Sequence, residues 1–117
     1  MNEGVRGPLI LVVDDVEEDR VYLSAILTKA GYEVRSVGDA EAGLKEARQG
    51  QPRPALVVMD VQLPGISGLE ATRRLKMDPL TARMPVVVVS AHDLNRKESR
   101  DANYDAVLRK PVGEEDL

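Results

Sequence analysis

Short apolar runs alternate along the chain with segments in which apolar residues recur every three or four positions. The apolar runs predict five strands, at residues 9–13, 33–37, 55–59, 85–89 and 105–108. The intervening segments predict four helices, and a fifth helix begins near the end of the chain; their ranges are 15–30, 40–50, 68–78, 93–102 and 112–117. Strands and helices that alternate in this way are typical of an α/β fold with a parallel sheet.

Several residues mark the ends of the predicted helices. Asp39 is a favourable N-cap for the second helix, and Ser67 followed by Glu70 is a capping-box pattern at the start of the third. Gly31 favours the end of the first helix, and Pro79 the end of the third. These signals make the first three helices better defined than the fourth, whose residues are mostly polar.

The strands differ in polarity, and this difference predicts their places in the sheet. Residues 33–37 alternate and are the most polar, so we expect them at an edge, whereas the continuous valines of 85–89 predict burial on both faces. Right-handed crossovers then favour a flavodoxin-like, doubly wound three-layer α/β/α sandwich. Its sheet order would be 2-1-3-4-5, with the final helix truncated. Residues 1–8 predict a flexible leader before one domain at 9–117.

Polar residues stand at or just after four of the apolar runs, namely Asp14-Asp15, Asp60, Ser90 and Lys110. The carboxyl ends of parallel strands share one edge of the sheet, and ligands of this fold bind where the strand order reverses. In the order 2-1-3-4-5 that place lies between strands 1 and 3. We therefore expect three carboxylates, a hydroxyl and an ammonium to converge in one crevice, a set suited to a divalent cation and a phosphoryl group.

The chemistry of these side chains narrows the choice of ligand. Neighbouring carboxylates resist ionising together, and a divalent cation removes that conflict. Oxygen ligands favour Mg²⁺, with Mn²⁺ also possible. An aspartate can also attack phosphorus and form an aspartyl phosphate. Each residue alone has an ordinary explanation, such as a helix cap, a turn residue or a solvated lysine. Their joint occurrence at four strand ends favours the site.

Composition excludes several other classes of protein. The chain has 117 residues, 43% hydrophobic and 31% charged, as in one ordinary globular domain. It has no Cys and a single His, which excludes disulfides, thiolate chemistry and a histidine metal cluster. The net charge of −4 and the absence of Phe and Trp argue against direct nucleic-acid binding. No run could span a membrane and no signal peptide is evident, so we expect a cytoplasmic location.

The segments around the polar residues resemble the receiver domain of bacterial two-component response regulators, the CheY-like superfamily. The resemblance covers the chain from Leu9 onward. It rests on LVVDD at 11–15, VVMDVQLPGISG at 57–68, VVSA at 88–91 and AVLRKP at 106–111. The segment MDVQLPGISG is the most specific of these, and the spacing of the others agrees with it.

The resemblance implies a role for each candidate site residue. Asp60 would be the phosphoacceptor, and Asp14 and Asp15 would hold Mg²⁺ together with Asp60. The backbone carbonyl of Gln62 would be a further metal ligand. Ser90 and Lys110 would bind the phosphoryl oxygens, and the Lys110–Pro111 peptide bond would be cis.

The resemblance also implies partners. The donor would be a phosphohistidine on a histidine kinase or a histidine phosphotransfer protein. We expect it to dock near the first helix, whose outer face would carry Glu17, Glu18, Arg20 and Lys29. Phosphorylation would change the surface of helix 4, strand 5 and helix 5 for a downstream effector protein or a C-terminal effector domain. The chain would catalyse only its own phosphorylation and dephosphorylation, so it would not be an enzyme in the usual sense.

Two departures from the family pattern keep an alternative open. Val107 stands where the family usually has an aromatic switch residue, and the segment between Ser90 and Lys110 is about two residues shorter than usual. A receiver-like docking module that does not switch is therefore the alternative. An aspartate-nucleophile phosphatase is disfavoured because Gln62 replaces its second aspartate. A flavodoxin-like cofactor binder is disfavoured because Asp14-Asp15 would repel a phosphate.

Overall fold

A computed structural model describes residues 7–116 of the chain. In chain order its elements are β1 (Leu9–Val13), α1 (Glu17–Lys29), β2 (Glu33–Val37), α2 (Ala40–Gln49), β3 (Leu56–Asp60), α3 (Gly68–Met77), β4 (Val86–Ser90), α4 (Arg96–Ala102), β5 (Ala106–Arg109) and a 3-10 turn (Glu114–Asp116). The five strands form one sheet in the order β2-β1-β3-β4-β5, and every neighbouring pair is parallel. The predicted doubly wound α/β/α fold is confirmed.

Helices cover both faces of the sheet, and each face has its own apolar cluster. On one face α2 and α3 bury Ala40, Ala47, Ala71 and Leu75 against alternate residues of β1, β3 and β4. On the other face, α1 buries Leu23 and Leu27. β2 lies at the edge and is only partly buried, as predicted. β4 is buried at all positions except Val87, which is half-buried, so the prediction of burial on both faces holds for most of that strand.

The register of the strands brings their carboxyl ends to one edge of the sheet. Asp60 is the last residue of β3 and lies opposite Val89, and Ser90 is the last residue of β4 and lies opposite Arg109. Both strands therefore run one residue further than predicted. The two polar side chains belong to the ladder itself, which fixes their backbones more firmly than a following loop would.

The first helix begins two residues later than predicted. Its N-cap is Val16, which makes no side-chain cap. Instead, the Asp14 carboxylate accepts a hydrogen bond of 2.9 Å from the Val16 N–H. Asp15, the predicted first residue of this helix, therefore lies before its N-cap. Asp14 and Asp15 therefore lie outside α1 and directly follow the end of β1.

The fourth helix is also shorter than predicted and begins after Asn95. A complete capping box explains this start, because Asn95 accepts from the Glu98 N–H and Glu98 accepts from the Asn95 N–H. Asp93, the predicted first residue, forms an ion pair with Arg109 instead. The helix ends at Asn103, which adopts the left-handed conformation with φ 58° that terminates many helices.

The predicted N-caps of α2 and α3 are confirmed, and each helix ends one residue earlier than predicted. The Asp39 carboxylate accepts from the Ala42 N–H at 2.7 Å, and the Ser67 hydroxyl accepts from the Glu70 N–H at 3.1 Å. The reciprocal half of the capping box at Ser67 is replaced by ion pairs of Glu70 with Arg73 and Arg74. Hydrogen bonds from these two arginines lower the pKa of Glu70 to about 2.

The two ends of the chain agree only in part with expectation. Residues 1–6 of the predicted leader lie outside the described residues, and the carbonyl of Pro8 already accepts a hydrogen bond of 3.1 Å from the Glu33 N–H. In place of the predicted fifth helix, the described residues after Val112 form only the 3-10 turn, and Leu117 lies outside the description. No helix in residues 7–116 is long and apolar enough to cross a membrane.

Candidate functional site

Three carboxylates meet at the carboxyl edge of the sheet. Oxygen atoms of Asp14, Asp15 and Asp60 all lie within 4.8 Å of one another. Asp14 and Asp60 are almost completely buried, with 1% and 5% of their surface exposed, whereas Asp15 is exposed. The predicted convergence of these three carboxylates is therefore confirmed, because β1 and β3 are paired and the acids at their carboxyl ends lie side by side.

Lys110 joins this cluster from the loop after β5. Its Nζ lies 3.4 Å from Asp60 Oδ1 and 3.6 Å from Asp14 Oδ2. The backbone of the same residue is fixed to the neighbouring strand, because the Lys110 N–H donates to the Ser90 carbonyl at 2.9 Å. The Lys110–Pro111 bond is cis, as the resemblance implied. The ammonium thus partly balances the two buried carboxylates.

Burial has the largest effect on the pKa values of Asp14 and Asp60, the two buried acids of the cluster. Burial raises the pKa of Asp60, and the nearby Asp14 carboxylate raises it further, against the opposing effects of Lys110 and the Gln62 N–H. Burial likewise raises the pKa of Asp14, although the Val16 N–H and Lys110 act in the opposite direction. Burial opposes the charge on Lys110, but the Asp60 and Asp14 carboxylates outweigh it and raise the pKa of the ammonium.

One oxygen of the buried Asp14 carboxylate is available to a cation. Asp14 Oδ2 is buried and has no hydrogen-bond partner among the described residues. Lys110 at 3.6 Å is too distant to serve as one. A buried carboxylate oxygen without a donor is energetically costly, and a bound cation removes that cost. The all-oxygen donor set and its excess of negative charge fit Mg²⁺.

Ser90 and Gln62 lie beside the acids, but the structure shows them in local roles. The buried Ser90 hydroxyl donates to the His92 carbonyl at 2.6 Å and accepts from the His92 N–H at 3.0 Å. The backbone N–H of Gln62 acts on the Asp60 carboxylate and lowers its pKa. The resting hydroxyl is therefore engaged within its own turn, and the roles of Ser90 towards phosphate and of the Gln62 carbonyl towards metal remain predictions.

Two residues of α1 contribute to the site although their contacts were not anticipated. Lys110 Nζ lies 3.3 Å from Asp19 Oδ2, and the Arg20 side chain donates to the Asp14 carbonyl at 2.7 Å. The expectation that Arg20 lies on the outer face of the helix is therefore wrong. Asp19 lies four residues before the buried Leu23. Helical periodicity puts these two residues on one face, a signal that could have identified Asp19.

Close packing of α3 also shapes the site. A Cβ atom at Gly68 would lie 1.8 Å from the Asp60 carbonyl oxygen. The Gly68 N–H donates to the Val61 carbonyl at 2.8 Å. The first residue of α3 thus contacts the backbone of Asp60 directly, which only a residue without a side chain allows.

Comparison with known proteins agrees with this geometry. The family model of the response regulator receiver domain matches residues 10–117. The chain belongs to this family. Receiver domains are phosphoacceptors of two-component signalling rather than classical enzymes, and the acidic cluster fits such a site. The alternative, a receiver-like docking module that does not switch on phosphorylation, is not favoured.

Three relatives illustrate the similarity. Protein PilH of Pseudomonas aeruginosa is 36% identical, over 92% of this chain and 89% of its own length. Response regulator PleD of Caulobacter vibrioides is 36% identical over 88% of this chain, which spans only 23% of that protein. The solved receiver domain of the P. aeruginosa sensor histidine kinase PA1611 has a TM-score of 0.86 and 28% identity, covering 95% of this chain and 91% of its own; it holds a magnesium ion in its active-site cleft.

Proposed function

We propose that Asp60 accepts a phosphoryl group from a phosphohistidine of a histidine kinase or a histidine phosphotransfer protein. One observation carries this proposal: the Asp60 carboxylate is buried in the acidic cluster with the Lys110 ammonium 3.4 Å away. A carboxylate in that position is a nucleophile with a cation at hand for the incoming phosphoryl oxygens.

The transfer is a displacement at phosphorus. An Asp60 oxygen forms the new bond to phosphorus while the bond between phosphorus and the imidazole nitrogen breaks, and the nitrogen keeps the electron pair. Lys110 balances negative charge on the phosphoryl oxygens. Asp14, Asp15, Asp60 and the backbone carbonyl of Gln62 are the residues that would hold Mg²⁺, which when bound supplies further positive charge to those oxygens.

Dephosphorylation uses the same residues in our proposal. A water molecule attacks phosphorus, the bond from phosphorus to the Asp60 oxygen breaks, and its electron pair regenerates the carboxylate, while inorganic phosphate leaves with both water protons. The chain would therefore catalyse only its own phosphorylation and hydrolysis. Turnover of other phosphate esters is not expected.

The output begins at Ser90. In the phosphorylated state its hydroxyl would exchange the bond to the His92 carbonyl, 2.6 Å in this structure, for a phosphoryl oxygen. That exchange would move the turn leading into α4 and alter the surface formed by α4 and β5. A downstream effector protein or a C-terminal effector domain would read this surface. In many receiver domains an aromatic residue on β5 transmits the movement of the hydroxyl to this surface. Here that position is the exposed Val107, so in our proposal the turn before α4 transmits the movement instead.

The proposal is tested with a small phosphodonor. Incubation with acetyl phosphate and Mg²⁺ is expected to add one phosphoryl group, detected by intact mass spectrometry. Asp60→Asn should abolish the adduct, whereas Asp101→Asn, which removes an exposed carboxylate on α4, should retain it. An adduct that persists in Asp60→Asn would reject Asp60 as the acceptor.

A further inference from the structure

Lys110 is shared among three carboxylates, and one of them belongs to neither strand of the site. Its Nζ lies 3.3 Å from Asp19 Oδ2, 3.4 Å from Asp60 Oδ1 and 3.6 Å from Asp14 Oδ2. Of the three contacts, the one with Asp19 is a hydrogen bond, and those with Asp60 and Asp14 are longer ion-pair contacts. The shortest of the three distances is the one to Asp19, on α1.

Asp19 differs from the other two acids in its exposure. Its side chain is 44% exposed, while those of Asp14 and Asp60 are 1% and 5% exposed. Asp19 and Lys110 both line an open cleft of about 310 Å³ between α1 and the loop after β5. Asp19 can therefore exchange the ammonium for water at little cost, whereas the buried carboxylates cannot.

We propose that Asp19 is a positioning residue that competes with the phosphoryl group for Lys110 and thereby limits how readily Asp60 is phosphorylated. The inference depends on the proposed role of Asp60. In the resting domain Asp19 holds the ammonium towards α1. When the phosphoryl group arrives, its oxygens draw the ammonium away from Asp19, and that contact is lost.

The consequence for the reaction follows from charge. With acetyl phosphate, an Asp60 oxygen bonds to phosphorus, the bond from phosphorus to the acetate oxygen breaks, and acetate leaves with the electron pair. Lys110 must then serve the phosphoryl oxygens alone. Without the Asp19 carboxylate one partner fewer competes with the phosphoryl oxygens for Lys110, so the transfer becomes faster. For a partly exposed ion pair the expected gain is about two- to fivefold.

The experiment compares initial rates of phosphorylation by acetyl phosphate with saturating Mg²⁺. Asp19→Asn should be about two- to fivefold faster than the unaltered chain. Glu41→Gln, which makes the same change of charge at an exposed position in the first turn of α2, should leave the rate unchanged. Affinity for beryllium fluoride with Mg²⁺, measured by calorimetry, should rise in Asp19→Asn by a similar factor.

A double-mutant cycle separates action through Lys110 from general repulsion. In the Lys110→Ala background, Asp19→Asn should no longer raise the rate or the beryllium fluoride affinity. An equal gain in that background would overturn the proposal, as would an unchanged or slower reaction of Asp19→Asn itself.

The same assay distinguishes this inference from the proposed function. If the unaltered chain takes up no phosphoryl group, or Asp60→Asn takes it up equally well, the role of Asp60 fails. If Asp60 is phosphorylated and Asp19→Asn behaves as the unaltered chain, only the role of Asp19 fails.

Discussion

Asp14 and Asp60 are held where their ionised forms are disfavoured, and the fold accepts this cost. Each is almost fully buried, and each has its pKa raised chiefly by burial. Lys110 offsets only part of the cost, because Nζ stands 3.4 Å or more from both of them. Without divalent cations the two acids should therefore oppose folding at neutral pH.

Replacement of Asp60 by Asn tests this conclusion. A raised pKa means that the folded chain binds the proton more tightly than the unfolded chain, so the contribution of Asp60 favours folding at low pH. That contribution is lost as the pH rises from about 3.8, the ordinary value, through the raised value. In EDTA at pH 7.5, Asp60→Asn should raise the free energy of unfolding by about 1 kcal/mol, measured with urea.

The pH dependence provides the control for this measurement. The advantage of Asp60→Asn should shrink as the pH falls through the raised pKa of Asp60, because the native carboxyl group then becomes protonated as well. Asp101→Asn should show neither effect. A variant no more stable than the original at pH 7.5, or a gap that widens in acid, would contradict the explanation.

Individual residues also show what could be predicted before the structure was seen. Asp14, Asp60 and Lys110 were identifiable because each stands at or just after the end of an apolar run, and parallel strands end at one edge of the sheet. The contacts of Asp19 and Arg20 depend on where α1 begins and how it is rotated about its axis. The resting bonds of the Ser90 hydroxyl to His92 depend on rotamer and turn geometry, which a sequence pattern does not encode.

At the scale of elements, α4 is held by its ends more than by its core. Of its residues only Ala102 is buried. Asn95 and Glu98 close its first turn, and Asn103 closes its last. A short helix with so little buried surface is expected to open locally more often than its neighbours.

Removal of the cap should make this opening measurable. Asn95→Ala leaves the Glu98 N–H without its partner and should cost about 1 kcal/mol in the local stability of α4. Hydrogen exchange at the amides of α4 should accelerate about fivefold, while the amides of β1 and β3 remain protected. Asp39→Ala should confine its effect to α2 in the same way. Equal acceleration throughout the sheet would show that α4 does not open independently.

The two errors at helix starts have different physical causes. For α1 and α4 the pattern placed the start at an aspartate, which is a favourable cap. In the structure Asp14 binds the Val16 N–H, and Asp93 pairs with Arg109 from β5. For α4 a tertiary ion pair thus occupies the side chain that the pattern assigned to capping, whereas for α1 the local bond to Asp14 leaves Val16, one residue after Asp15, as the N-cap. At Asp39 and Ser67 the predicted side-chain caps form, although ion pairs with Arg73 and Arg74 take Glu70 away from its half of the predicted capping box.

At the scale of the whole molecule, the order of the strands was predictable from their polarity and from the handedness of crossovers. The helices that cover the two faces of the sheet were less predictable than the strand order. Residues 114–116 supply only a 3-10 turn where a fifth helix was expected. A groove of about 400 Å³, lined by apolar residues such as Leu56, Val58 and Leu108, lies beside α1.

Binding of Mg²⁺ should stabilise the whole fold. A cation that binds only the folded chain raises the free energy of unfolding by RT ln(1 + [Mg²⁺]/Kd). The melting temperature should therefore rise with Mg²⁺, by about 4 °C for each kcal/mol in a domain of this size, and EDTA should reverse the rise. Differential scanning calorimetry over a Mg²⁺ series measures it.

A matched pair of variants checks where the ion binds. Asp14→Asn removes the buried oxygen that has no hydrogen-bond partner among the described residues, and it should lose most of the rise. Glu41→Gln should keep it in full. A rise of the same size in Asp14→Asn would place the stabilising cation elsewhere.

The contact between Gly68 and the Asp60 carbonyl has a further consequence. A Cβ atom at position 68 would lie 1.8 Å from that oxygen, so no side chain fits between β3 and α3 at this point. Even a single methyl group there must prise α3 away from the sheet at the point where the acids gather. Substitution of Gly68 should therefore disturb the geometry of the acidic cluster, although Gly68 has no side chain that takes part in it.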